Sequence, residues 1–494
     1  MQAYRKRYLF LFAVIFGVAH SSICQLPAPT SARVSAVYGN CSSLLTARDA
    51  AKCIGSIQIS SPIPKLEPEH PYTLPELIDI AQSSNPEARI AWTEAKRSME
   101  KAAISRAEYL PILSLLGQGS DLRTIVPFPK PIAPRGYVTV EEPAAIAQLE
   151  LQYNILDFGR GHRLEGSKAL EIASTLRLNR THQTVAFNTA AQYYRAQQAI
   201  GQLEAAITIH NTAETLLKNA QSQFENGRAT LPDVQNAIAG EAEARYNLTA
   251  AEGEVKKSKL ALSETIGVEP TTEITVTRQS ASDTSSFESS VEDLLKIAWR
   301  SRPDLLARAE DVKRAHEAYQ TAHAAYLPKV GLNAAGGQTS LWPTADFGQL
   351  GPASVSTWQV AMQLHWDVFN GARAHEQKAA LAEQQAAAET LRATQDAVTR
   401  QVWEAYTDYQ TALEQERSSR SFLTSSQTSY DSSLDAFNYG VRSLVDVVQS
   451  ERQLAQARLE SVRAQARLLQ TEVSLSYATG QMISQQTSAA GVRP

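Results

Sequence analysis

The sequence predicts a mostly α-helical membrane protein with four β-strands per chain and long antiparallel helices, laid out as two tandem structural repeats. Three observations carry this. Ala145, Ala147, Leu149, Leu151, Tyr153 and Ile155 alternate with Gln148, Glu150, Gln152 and Asn154, which is the period of a strand with one apolar and one polar face. The event recurs where Trp358, Val360, Met362, Leu364, Trp366 and Val368 alternate with Gln359, Gln363, His365 and Asp367, at an offset of about 213 residues. Each of these strands then runs into a proline-free helical pattern of about 68 residues, roughly 100 Å at 1.5 Å per residue, which is too long for an ordinary globular core.

The 494-residue chain begins with Arg5-Lys6-Arg7, an apolar run from Tyr8 to Ala19, and small residues up to Cys24, the order of a secretory signal peptide over residues 1–24. The run is too short to cross a bilayer as a helix, and no later stretch reaches the length a transmembrane helix needs. Cys24 could be read as a lipidation site, but Ile23 in front of it is a poor lipobox residue, and whether Cys41 and Cys53 form a bridge is left open. A net charge of −4 argues against a nucleic-acid partner. Residues 25–71 read as a polar Ser/Pro/Ala leader, 268–289 as a polar linker, and 482–494 as a loose tail.

The first repeat, 72–267, opens on the capping pattern Thr73-Leu-Pro-Glu76, and the second, 290–481, on Ser290-Val-Glu-Asp293. Pro86 and Pro303 end one short helix and start the next, which finishes at Tyr109-Leu-Pro111 or Tyr326-Leu-Pro328. Strands are expected at about 112–120 and 145–156, then 329–339 and 356–369, with Pro/Gly-rich loops 121–143 and 340–354 between them. Along the long helices, Leu203, Ile207, Ala213, Leu217 and Phe224 form an apolar stripe in one copy, and Val402, Tyr406, Tyr409 and Leu413 show coiled-coil spacing in the other. Tips follow at 225–234 and 438–447. There Gly227 and Gly440 suit left-handed C-caps, and Thr230 and Ser443 start helices that run to Gly267 and Gly480.

A strand with apolar residues on one face and amides on the other fits a membrane barrel, with Leu149, Leu151, Tyr153, Met362, Leu364 and Trp366 facing lipid. Four strands are too few, since known barrels need about eight or more and lipid forbids open edges. The chain must therefore oligomerise, and the same symmetry turns the long helices into a tube.

The YLP segments, the turns LDFGR and FNGAR, and the tips FENGRATLPDVQNA and FNYGVRSLVDVVQSE resemble the TolC-type outer membrane efflux proteins over nearly all of 72–481, in both halves. The resemblance implies a homotrimer with a twelve-stranded outer membrane barrel and a periplasmic α-helical tunnel. It implies further a passive exit duct of an efflux or type I secretion system, working with an inner-membrane pump through a periplasmic adaptor. It places Asp233, Phe437, Arg442, Asp446 and Gln449 at the periplasmic entrance, and Gly227, Leu231, Val234, Gly440, Leu444 and Val447 at adaptor-contacting tips. Gln449 stands where one branch of the family has a second acid, and Phe437 where that branch has a tyrosine.

The residues alone give Asp233 and Asp446 a second reading, since an acid three residues past a Thr or Ser N-cap stabilises any helix start. Arg160, Arg373 and Asp157 read as solvated charges at the strand-to-helix turns. No metal-ligand spacing, dinucleotide loop, nucleophile elbow or Cys/His pair is present, so neither an enzyme nor a cofactor is expected. The alternative reading is an exported structural coiled-coil protein without a pore.

Overall fold

A computed structural model describes residues 70–130, 133–227, 229–269, 272, 274–277, 290–439 and 441–482. The signal peptide, the leader up to residue 69, Cys24, Cys41, Cys53, Gly440, most of the linker and the tail from residue 483 lie outside the described residues. The elements run β1 (Pro71–Tyr72), α1 (Leu74–Ser84), α2 (Pro86–Ala107), β2 (Ile112–Pro127), β3 (Tyr137–Leu156), α3 (Phe158–Glu225) and α4 (Leu231–Ile266). They continue β4 (Thr275–Val276), α5 (Val291–Ser301), α6 (Pro303–Ala324), β5 (Lys329–Leu341), β6 (Thr344–Ala345), β7 (Gly348–Gln349), β8 (Ala353–His365), α7 (Arg373–Asn438) and α8 (Leu444–Ala478). Among the described residues no helix is long and apolar enough to cross a membrane.

The main sheet is antiparallel throughout, in the order β2–β3–β5–β8, with the small β6–β7 hairpin laid against the outer part of β3. Strand bounds differ from the expectation at both ends of the sheet. Residues 121–127 and 137–143 extend β2 and β3 instead of forming a loop, pairing as far as Pro127–Tyr137 with Arg123 ion-paired to Glu141 at 3.5 Å. Pro143 is tolerated inside β3 because it lies where the neighbouring strand breaks between Leu341 and Thr344; its carbonyl accepts from Trp342 N at 2.9 Å. At the other end β8 stops at His365, four residues early. Its last partner is Lys329, and Pro328 before that residue has no N–H to continue the ladder.

The helices pack in a matching order. Under the sheet the neighbours are α2–α3–α6–α7, and toward the tips they are α4–α3–α8–α7. The helices α3 and α7 run the full length, 68 and 66 residues, while α2 gives way to α4 and α6 to α8. In the tip half the seams are lined by small residues at strict seven-residue spacing: Ala199, Ala206, Ala213 and Ala220 on α3, and Ser450, Ala457, Ala464, Thr471 and Ala478 on α8, all buried. Heptads of this size bring coiled helices unusually close. At the crossing of α3 and α8, a Cβ on Gly201 would lie 2.9 Å from Val462 Cγ1. The expected α3 stripe holds in part: Ala213 is buried and Leu217 packs against core, but Ile207 and Phe224 are exposed, and Ala199, Ala206 and Ala220 complete the seam. The α7 expectation holds, with Val402 and Tyr409 in the core and Tyr406 and Leu413 packed against it.

Two caps of core cover the level where the shorter helices meet end to end. The helix α1 packs Leu77, Ile78 and Ala81 against Val185, Tyr193, Leu262 and Ile266, and α5 packs Leu294 and Ala298 against Val398, Val402, Leu468 and Leu475. Both joints use the same device. Gly267 and Gly480, at φ 75° and 79°, end α4 and α8 in the left-handed region, and the N-cap residues of α2 and α6 donate to the freed carbonyls. In the first joint Asn85 Nδ2 reaches Thr265 O at 2.9 Å. In the second Arg302, 2% exposed, reaches Ala478 O at 3.2 Å, forks onto Asp304 at 2.6 and 3.0 Å, and bonds Gln401 at 2.8 Å. Arg180 of α3 joins the group, 3.8 Å from Asp304 and stacked 3.8 Å above the Tyr477 ring.

Burial works to raise the pKa of Asp304, but the hydrogen bonds from Arg302 and the charge of Arg180 outweigh it and hold the carboxyl below its usual range. A depressed folded pKa means the stabilisation is fully present above the unfolded value, about 3.9, and is lost as pH falls through the folded one. Asp304→Asn is expected to cost about 3 kcal/mol at neutral pH by leaving Arg302 buried and underpaired. In unfolding titrations the gap to wild type stays constant above about pH 5 and closes below about pH 4.

Candidate functional site: the two-faced sheet and the helical tips

Directly opposed residues of an antiparallel ladder share a face. The rows Leu115–Leu149–Gly336–Trp358, Leu113–Leu151–Ala334–Val360 and Tyr153–Leu332–Met362 therefore form one apolar surface across all four strands. Among the described residues nothing covers it: Met362 is 72% and Trp358 82% exposed, and Leu149 and Leu364 are exposed too. The rows between them carry Ser114, Gln148, Glu150, Gln152, Asn333, Gln359 and Gln363 on the opposite face. Of the expected apolar residues, Leu149, Leu151, Tyr153, Met362 and Leu364 lie in strands as predicted. Trp366 does not; it lies just past β8, with Nε1 donating to Tyr326 O at 3.1 Å. Sequence reasoning did not single out Leu113 or Leu115; Trp358, which opens the second alternating run, marks the far edge of the apolar band.

Past Gly119 and Ala145 the pattern inverts, with Asp121, Arg123 and Glu141 on the side that was apolar. The apolar band thus spans about eight residues of β2, roughly 25 Å along the strand at about 3.3 Å each, or about 20 Å of height at the roughly 40° tilt usual for barrel strands, close to the apolar belt of an outer membrane barrel.

Two of the three junction charges, Arg373 and Asp157, are withdrawn from solvent, contrary to expectation, while Arg160 is half-buried. Arg373 is buried, donates to Asp367 O at 2.8 Å and lies 5.0 Å from the Tyr326 ring. Arg160 does the same in the first half, donating to Asn154 O at 2.8 Å and stacking 4.0 Å from the Tyr109 ring. The Asp157 side chain is largely buried and paired with Arg163 at 2.9 Å. Each YLP tyrosine therefore pins the arginine of the strand-to-helix turn, which fixes the angle at which helix leaves sheet.

At the tips, both capping boxes form. Thr230 N and Oγ1 donate to Asp233 Oδ2 at 2.8 and 2.6 Å, and Ser443 N and Oγ to Asp446 Oδ2 at 3.1 and 2.7 Å. The hydrogen bonds from Thr230 and Ser443 lower both carboxyl pKa values, so the two acids are ionised at neutral pH. Gly227 takes the left-handed conformation at φ 70°. Arg442 Nη1 donates to Ser433 Oγ at 2.9 Å, which ties the second tip back onto α7. Asp233, Leu444 and Gln449 line one small cavity of about 130 Å³ between the tips.

Three expected contact residues are corrected here. Val234, Leu444 and Val447 are buried, Val447 completely, because the first turns of α4 and α8 pack them inward; Leu444 lies against Ala220, Ala237 and the half-buried Phe437. The apolar residues that do protrude are Leu231, Tyr439, Val441 and Val445, of which the sequence reading named only Leu231. Among the described residues no group of three or more His, Cys, Asp or Glu side chains is arranged to hold a metal.

Arg442→Ser removes the bond to Ser433. Amide exchange across residues 438–447 is expected to rise about threefold or more, with 225–234 unaffected, as read by mass spectrometry.

The family described as outer membrane efflux protein matches residues 77–268 and 294–481. The chain is 23% identical over 437 residues to outer membrane protein TolC of Escherichia coli (strain K12), covering 84% of each chain. It is 24% identical over 414 residues to the solvent efflux pump outer membrane protein SrpC of Pseudomonas putida, covering 82% of this chain and 85% of that one. Its fold is similar to that of the Campylobacter jejuni CmeC outer membrane channel, with a TM-score of 0.70 at 16% identity over 83% of this chain and 85% of the other.

Proposed function

The chain belongs to the outer membrane efflux protein family, and we propose that three copies of it close one twelve-stranded barrel above one helical tunnel. It is an outer membrane channel, the passive exit duct of an efflux system, with its helices in the periplasm. The observation that supports closure with other copies is the four-strand sheet with an unpaired edge at β2 and another at β8 among the described residues, apolar on one whole face; the number three comes from the family. In hydrocarbon each unpaired backbone group costs several kcal/mol, and a neighbouring copy's edge is the partner that removes this cost. The helical layer supports the same closure. It too ends in free flanks, and α2 carries Ile90, Trp92, Met99 and Ile104 exposed in the single chain.

The rest of the reading follows from this arrangement. Residues 72–267 and 290–481 are two repeats joined by 268–289, each supplying two strands and one full-length helix. The apolar face meets lipid and the amide face lines the pore. The tips form the periplasmic entrance, where Asp446 supplies one carboxylate per copy; Gln449 adds none, and Phe437 offers no hydroxyl to a closed state. Leu231, Tyr439, Val441 and Val445 protrude where a periplasmic adaptor would dock and hand over cargo from an inner-membrane pump. A relative named as the outer membrane component of a solvent efflux pump supports such a partnership. A pore-less coiled coil would leave the apolar sheet face without a role.

In detergent the protein is expected to migrate as a trimer that dissociates only on heating, and to conduct ions in planar bilayers. A monomer or a non-conducting product contradicts the duct. Asp446→Asn keeps an oxygen for Ser443 but removes the charge, so block by multivalent cations weakens. Unchanged block reduces Asp446 to a helix cap.

A further inference from the structure

The polar face of the sheet has a composition that determines what it favours. Gln148, Gln152, Asn154, Asn333, Gln359 and Gln363 share it by register. Carboxamides donate and accept hydrogen bonds but carry no charge at any pH, so this lining discriminates little by charge. Glu150 stands among them, opposite Ser114 on one side and Ala335 on the other, with Gln359 next in the row. Its Oε1 accepts from Gln148 Nε2 at 2.8 Å, a neutral partner that leaves the negative charge uncompensated.

No lysine or arginine shares this face beside the apolar band. At the inner end the charges are already paired: Lys329 Nζ lies 3.7 Å from Asp157 Oδ2, and His365 Nε2 lies 3.0 Å from Asp367 Oδ1. Glu142 has the same orientation but sits on the outer hairpin, above the band.

We propose that Glu150 is the charge-selectivity residue of the barrel segment, a single carboxylate per copy set in a neutral amide lining, which favours neutral and cationic cargo over anionic cargo. The inference rests on the duct reading, because the carboxylates form a ring only when copies close the barrel. Rings of acidic side chains act on passing ions through their field, and salt screens that field. The selectivity is therefore strongest at low ionic strength and fades with added salt.

The test is the reversal potential of the full-length protein in planar bilayers, between about 0.01 M and about 0.1 M KCl, where the screening length falls from about 30 Å to about 10 Å. Wild type is expected to prefer K⁺ over Cl⁻. Glu150→Gln lowers the permeability ratio toward unity by about twofold or more, and Gln359→Glu, which adds a carboxylate in the same row, raises it by a similar factor. On an Asp446→Asn background the loss from Glu150→Gln persists, which separates the barrel from the tips. If Glu150→Gln does not assemble, Gln359→Glu decides alone. A conducting pore whose reversal potential neither substitution moves overturns the inference. A protein that does not conduct overturns the duct reading beneath it, and this inference with it.

Discussion

The rest of the molecule depends on the fate of two strand edges. A strand exposes N–H and C=O groups along both sides, and hydrocarbon offers them nothing to bond. Here β3 and β5 are satisfied on both sides within the chain, whereas β2 and β8 each keep one side open. Whatever closes those edges dictates the layer beneath, because every barrel strand is tied to a helix by a short turn. The sheet order β2–β3–β5–β8 is repeated as the helix order α2–α3–α6–α7, each helix directly preceding or following its strand in the chain. The arginine–tyrosine stacks of Arg160 on Tyr109 and Arg373 on Tyr326 hold two of these turns in place, so the curvature of the sheet passes to the helices beneath it.

Continuing that layer away from the membrane needs helices that stay neighbours for some 100 Å. Straight helices drift out of contact, but a seven-residue period of core positions winds them together. Small side chains at those positions let the backbones approach closely, at Ala199 through Ala220 and again at Ser450 through Ala478. Large side chains there would widen the seam and thicken the wall. The cost of small residues is a thin apolar core, and among the described residues the two larger hydrophobic clusters sit where α1 and α5 cover the end-to-end joints, with a smaller one at the tips.

How far the sequence revealed this depended on which physical constraint acted on each segment. In β3 and β8 one face carries apolar side chains and the other amides, so period two is written plainly. The partners β2 and β5 are as two-faced in the structure, but glycine and alanine dilute the signal; Gly337, for example, is pressed so closely against Ala147 and Gln148 that no side chain fits. The outer hairpin 121–143 was read as a loop because its faces swap polarity above the band and its prolines suggest breaks. At the tips, capping chemistry is local and was legible from Thr230, Asp233, Ser443 and Asp446. The inward turn of Val234, Leu444 and Val447 was not legible, since an apolar residue in a first helical turn suits either side until the neighbouring helix is known. The burial of Arg373 is illegible for a similar reason: Tyr326, whose ring lies against it, comes 47 residues earlier in the chain.

The two joints at the middle of the wall share a geometry but not a chemistry, and their positions account for the difference. The joint between α2 and α4 lies at the flank of the chain and is closed by neutral groups, Ser84 and Asn85, on the last carbonyls of α4. The joint between α6 and α8 lies inside the chain, against α3 on one side and α7 on the other, and there Arg180, Arg302, Asp304 and Gln401 come from three separate helices and the N-cap of α6. Two guanidinium groups face one carboxylate, and the remaining positive charge is answered by the carbonyl end of α8, where a helix dipole is negative. A buried ion group adds less net stability than an apolar patch of equal size. Its value lies in directionality: Ala-lined seams slide easily by one heptad, and a fork from Arg302 to Asp304 and Ala478 is satisfied in one register only. The position where small-residue packing specifies least is thus the position where the chain places its most specific polar contacts.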